Sequence, residues 1–145
     1  MSISDNERQP WPCPAADQDS ESYWAGTARG ELLLQRCEDC ANVQHYPRLF
    51  CTRCHGPRLT WTPASGRGVI YSRTVVRRAP TQALRAEAPY VIAIVELEEG
   101  PKVFANVVDS PVDDVTIGRT VVVGFRDQDG VSVPVFRLSP ETSPT

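Results

Sequence analysis

The stretch RCEDCANVQHYPRLFCTRC, residues 36–54, decides how the rest of the chain is read. It holds two Cys-x-x-Cys pairs, Cys37 with Cys40 and Cys51 with Cys54, ten residues apart. Each pair can form a knuckle, a turn that places two sulfurs on one ion while backbone N–H groups face the thiolates. Two knuckles give tetrahedral S4 coordination, the arrangement of structural zinc sites, and the ten-residue interval permits a hairpin that brings them together. Four thiolates close the coordination shell, so the ion is expected to hold a small segment together and not to act as a Lewis acid. Iron in a rubredoxin-like site takes the same ligands, but nothing else in the chain points to redox partnering. His45 and His55 lie beside the knuckles; with four cysteines well spaced, both read as surface residues.

Working outward, the chain is read as a flexible arm over residues 1–18, bearing Pro10, Pro12 and Pro14. A helix and lead-in occupy 19–33, with Asp19 or Ser20 as cap, Tyr23 and Trp24 as its apolar face and Gly30 as its stop. The zinc ribbon takes 34–63, entered by a strand at Leu32–Gln35 and left by one at Leu59–Thr62. From residue 64 to 140 the pattern is all-β. Strands are expected at Val69–Val76, Tyr90–Leu97, Val103–Val108, Thr120–Phe125 and Val131–Leu138. The turns Glu98-Glu99-Gly100-Pro101 and Asp127-Gln128-Asp129-Gly130 separate them. Val91, Ala93, Val95 and Leu97 share one face, as do Val121, Val123 and Phe125. Pro134 lacks a ladder donor and marks the last strand as an edge or bulged strand. Five strands suit a small OB-type barrel; an SH3-like barrel has the same strand count. Residues 141–145 are a tail. The fold class is mainly β: an N-terminal helix, a four-cysteine ribbon and a five-stranded OB-type barrel.

Bulk properties narrow the function. The 145 residues carry a net charge of −3, with 41 % apolar residues. Residues 67–145 hold nine basic and ten acidic side chains, so no nucleic-acid or membrane partner is expected, because both are anionic. No apolar run approaches a membrane span, and no signal core opens the chain. Five cysteines, four of them in short pairs, do not make a secreted disulfide framework. A reducing, cytoplasmic location follows as an expectation. Cys13, left over, reads as an incidental surface thiol.

A nucleophile needs a base, usually a histidine, and both histidines sit in the ribbon. Asp113-Asp114 and Glu98-Glu99 read as solvated carboxylates. No self-sufficient catalytic set emerges. The span from Arg73 to Arg85 carries Arg73, Arg77, Arg78 and Arg85 with no acid before Glu87. It runs into a long connection, Ala79 to Ala88, and Arg73, Arg77 and Arg78 are candidate phosphate ligands.

Several segments in order carry a resemblance: Tyr23-Trp24, Arg36-Cys37-x2-Cys40, Tyr46-Pro47-Arg48 before Cys51-x2-Cys54, Trp61, Ser65 through Thr74, Pro89-Tyr90, Val95 through Pro101, Ile117-Gly118 and Phe136. Over residues 20–138 the chain resembles the OB-fold and zinc-ribbon proteins of domain-of-unknown-function family 35, described as acyl-CoA-associated. Ala41 departs from the pattern, standing where a knuckle glycine is usual, and Tyr46 stands where a second proline is common. The resemblance implies a non-catalytic accessory subunit that pairs with a thiolase-fold or lipid-transfer-protein-like aldolase, thiolase or acyltransferase in a hetero-oligomer. It also implies a coenzyme A thioester as ligand. Alternatives are a single-stranded nucleic-acid-binding module, since OB barrels and ribbons also serve that purpose, and a stand-alone acyl-CoA-binding protein. Tyr23, Trp24 and the strand with Pro134 are the expected interface.

Overall fold

The computed structural model describes residues 13–140. Most of the expected arm, residues 1–12, and the tail, 141–145, lie outside the described residues. Helix α1 spans Glu21–Ala28. Ser20 takes the cap position but its side chain bonds no helical N–H, and the carboxylate at this end is neither of the expected caps. Asp17 accepts from the Ser20 N–H at 2.9 Å and from the Ser20 hydroxyl at 2.7 Å, and these bonds, the hydroxyl's foremost, hold its carboxyl below the usual value. Gly30 ends the helix as expected. At φ 79° it donates to the Thr27 carbonyl while the Glu31 N–H reaches Gly26, the two bonds of a Schellman cap.

Three short antiparallel strands make the ribbon sheet, in the order β2-β1-β3: β1 at Leu33–Cys37, β2 at Val43–Gln44 and β3 at Leu59–Pro63. The two-residue β2 was not foreseen. The barrel follows with β4 at Arg67–Val76, β5 at Tyr90–Leu97, β6 at Lys102–Val107, β7 at Thr120–Gln128 and β8 at Val131–Leu138. They close as β4-β5-β6-β8-β7. β8 inserts between β6 and β7, a Greek-key closure of the OB type. A one-turn helix α2, Gln82–Arg85, interrupts the connection read as a bare loop, with the Thr81 hydroxyl accepting from the Leu84 N–H at 3.4 Å.

The expected alternation holds. Val91, Ala93, Val95 and Leu97 point inward with exposures of 0–2 %, against Ile70, Val103, Val121 and Phe136. At Gly68 the backbones come too close for any side chain. A Cβ there would lie 2.6 Å from the Glu96 carbonyl oxygen. Gly68 faces Leu97 on β5 and Val121 on β7, so it stands where β4 closes the barrel. β8 is only half an edge. It pairs with β7 along its length but meets β6 at one position, Val107 with Phe136, and Pro134 sits beside the open part of that seam. Tyr23, Leu32 and Leu34 belong to the same buried cluster as the barrel interior. The ribbon and barrel therefore share one core.

Candidate metal centre

The metal site is built from two knuckles of the same construction. In the first, the Ala41 N–H donates to the Cys37 carbonyl and the Cys37 N–H to that of Asn42, both near 2.9 Å. In the second, the His55 N–H donates to Cys51 and the Cys51 N–H to Gly56, both at 2.9 Å. Each turn requires left-handed backbone just after its second cysteine, at Ala41 (φ 63°) and His55 (φ 65°). Ala41 therefore keeps the geometry that a glycine would adopt without strain.

All four sulfurs lie within 4.8 Å of one another. Cys37 and Cys54 are 3.5 Å apart, Cys40 and Cys51 3.6 Å. A regular tetrahedron with Zn–S bonds of ~2.3 Å has edges of ~3.8 Å, so the donor set fits zinc with small adjustments. Backbone donors face the sulfurs as expected: Arg53 and Cys54 N–H groups onto Cys51 at 3.3 and 3.5 Å, and Gly56 onto Cys54 at 3.4 Å. The Cys54 N–H above all holds the Cys51 thiol down, to about 6. At Cys54 the Gly56 N–H acts the same way but is outweighed by Cys37, burial and the other sulfurs, which push it up to about 12. Four bare sulfurs this close cannot all ionise; a bound divalent cation removes that conflict.

Two buried glutamines, which carried no signal in the sequence, hold the interval between the knuckles. Gln35 donates to the Arg48 carbonyl at 2.8 Å and accepts from the Arg48 N–H at 2.9 Å and from Gln44 at 2.8 Å. Gln44 in turn donates to the Phe50 carbonyl at 3.3 Å and accepts from the Thr52 N–H at 2.9 Å. The loop so pinned presents Tyr46, Leu49 and Phe50, each about half exposed (51, 49 and 56 %). An ion pair of Arg58 with Asp39 ties the second knuckle to the first.

The two histidines differ. His55 is exposed. His45, expected at the surface, is not: it lies against the rings of Tyr23 and Tyr46, with centroids 5.4 and 4.2 Å away. Burial, with Arg48 as a lesser cause, brings it down to about 4. It is no metal ligand.

Of the expected phosphate ligands, Arg77 and Arg78 line one shallow groove of about 440 Å³ together with Arg85. Arg73 stands outside that set, opposite Ala93 in the β4–β5 ladder. Tyr23, Trp24 and Pro134, expected as an interface, line a second, apolar groove of about 320 Å³. Among the described residues no helix is long and apolar enough to cross a membrane. Cys13 donates to the Gln128 carbonyl at 3.2 Å.

A four-cysteine ribbon fused through a common core to a five-stranded OB barrel defines a class: small zinc-ribbon and OB-fold proteins. Comparison with known proteins gives the family. Residues 24–60 match the rubredoxin-like zinc ribbon domain of ChsH2, and residues 61–126 its C-terminal OB-fold domain. A DUF35 domain-containing scaffold protein of Methanothermobacter thermautotrophicus is 38 % identical over 79 % of this chain and 90 % of its own length. The chain belongs to the DUF35 family. It is also 34 % identical, over 87 % of its length, to a probable enoyl-CoA hydratase alpha subunit of Thermomonospora curvata, but spans only 39 % of that protein. A solved Ltp2-ChsH2(DUF35) aldolase has a chain that superposes with a TM-score of 0.80 at 33 % identity, covering 87 % of this chain and 98 % of that one. A DUF35 protein from Sulfolobus solfataricus, 11 % identical with a TM-score of 0.62, shares the fold.

Proposed function

We propose that this protein is a non-catalytic accessory subunit of a thiolase-like acyl-CoA enzyme, which it stabilises and whose acyl-CoA it helps to bind. The observation that carries this reading is the unpartnered apolar surface. Tyr46, Leu49, Phe50 and Phe104 are each 49–59 % exposed, and Tyr46 and Phe104 border the groove of Tyr23, Trp24 and Pro134. Large side chains left in water on a built surface are the mark of a protein interface. The relatives support it, since they are named as a scaffold protein, an alpha subunit and a two-component aldolase.

Affinity purification of the tagged protein from its own host tests the reading. A thiolase-fold protein recovered in near-equal amount is expected, whereas recovery alone, or with nucleic acid that salt removes, overturns it. The phosphates of coenzyme A are assigned to the groove of Arg77, Arg78 and Arg85, with Arg73 further along β4. Replacing Arg77 and Arg78 by Ala is expected to weaken coenzyme A binding by ~10-fold or more, as charge-assisted hydrogen bonds are lost; unchanged affinity refutes the assignment.

A further inference from the structure

The apolar groove has a composition more particular than an interface requires. One wall is an unbroken row of rings running from α1 to the ribbon: Trp24 against Tyr23 at 4.9 Å, Tyr23 against His45 at 5.4 Å, His45 against Tyr46 at 4.2 Å. The barrel supplies the other side, with Ile92, Phe104 and Pro134. No Asp, Glu, Lys or Arg lines it, and His45 is neutral near pH 7. A charged or zwitterionic ligand would lose its hydration here and find no counter-charge. An extended peptide would bring an N–H and a C=O with every residue to a lining whose side-chain polar groups are those of Ser20, Tyr23, Trp24, His45, Tyr46 and Asn106, too few to pair them, so any partner segment belongs on the rim at Tyr46 and Phe104 and not inside. The volume of about 320 Å³ lies at the lower end of the ~300–1,000 Å³ usual for small-ligand sites. That is enough for one ring system and too little for a complete coenzyme A thioester.

We propose that this groove binds a flat, uncharged carbocyclic ring system, the ring portion of an acyl group, between the ring row of α1 and the ribbon and the Phe104 side of the barrel. Aromatic walls reward flat ligands with offset-stacked or edge contacts beyond simple area burial. A flexible chain gains less from them and loses more rotational freedom on binding. That the ring arrives as an acyl group rests on the accessory-subunit reading; the preference for flat rings does not.

The test uses the zinc-loaded full chain and two uncharged methyl ketones of equal carbon count, 2-acetylnaphthalene and 2-dodecanone, titrated while amide and indole NMR signals are followed. Saturable binding of the naphthyl ketone is expected, ~10-fold or more tighter than the linear ketone. That ratio corresponds to about 1.4 kcal/mol. The shifts are expected at the Trp24 indole, Phe104 and Ala105, with at least a tenfold loss in Phe104→Asp, a position exposed enough to accept the charge without unfolding. No saturable binding, equal affinity for the two ketones, shifts centred on Tyr71 or Ile117, or unchanged binding by Phe104→Asp overturns the proposal. Each of these leaves the co-purification result untouched, so the two readings fail separately.

Discussion

Ala41 and His55 occupy left-handed backbone, φ 63° and 65°, where a side chain crowds its own carbonyl at a cost of ~1–2 kcal/mol. Ala41→Gly relieves that crowding and returns part of the gain as unfolded-state entropy. The zinc-loaded variant is expected to be about 0.5–1 kcal/mol more stable in denaturant titration; a loss would mean that the Ala41 methyl packs usefully. His45 has a different signature. In the unfolded chain it titrates near 6.5, but among the tyrosine rings it is held down to about 4. Between those values the unfolded state takes a proton that the folded state refuses. Stability is therefore lost as pH falls from about 6.5 to about 4, by roughly 2–3 kcal/mol, and is independent of this group above 6.5. Cysteine protonation also releases metal in acid. The measurement is accordingly the difference between the parent and His45→Phe, with the parent expected to lose more stability over that window and equal slopes ruling the effect out. His45 was misplaced by sequence reasoning because its burial comes from α1 and the neighbouring tyrosines, contacts that no local pattern announces. The four cysteines were plain because ligand spacing is itself local. Gln35 and Gln44 were invisible because glutamine carries no geometry of its own; their role exists only once β1, β2 and the loop at 45–50 are together.

Among the elements, β5 and β8 fall on their expected bounds, since a turn signal abuts each: Glu98-Glu99-Gly100-Pro101 follows β5, and the turn ending at Gly130 precedes β8. α2 and β2, of four and two residues, were not readable, because neither is long enough to complete a period. The arginine groove depended on α2: that single turn brings Arg85 alongside Arg77 and Arg78. At Gly68 the constraint is steric. Gly68→Ala would drive a methyl into the Glu96 carbonyl, 2.6 Å from its ideal position, and part β4 from β5 beside its junction with β7. An expected loss of about 1–3 kcal/mol, read from the denaturation midpoint at unchanged m-value, checks this. A neutral result would show that the strands can separate there without cost.

At the scale of the whole molecule, the ribbon and barrel stand or fall together, because Tyr23, Leu32 and Leu34 sit in the same cluster as Ile70 and Phe136. Stripping zinc with a chelator is expected to lower the melting temperature of the barrel in a single transition. Two separate transitions would mean that the shared core does not couple them. The location of the apolar groove belongs to this scale as well: it needs α1, the ribbon loop and the barrel side at once. The sequence supplied Tyr23, Trp24 and Pro134 as separate candidates and could not show that they meet.

The barrel is fastened between β6 and β8 at one rung, Val107 with Phe136, while every other junction has three rungs or more. A hoop with one weak clasp does not breathe evenly. Slow fluctuations are expected to unlatch it there, swinging β8 and β7 away from β6 while the β4–β5–β6 ladders stay zipped. Amide protons beside the clasp, at Val107 and Val108, should trade for deuterium well ahead of those at Ala93 and Val95. An occupant of the apolar groove, which borders the unpaired stretch of that seam at Ala105 and Pro134, would bridge α1 to both strands, act as a latch and slow the exchange.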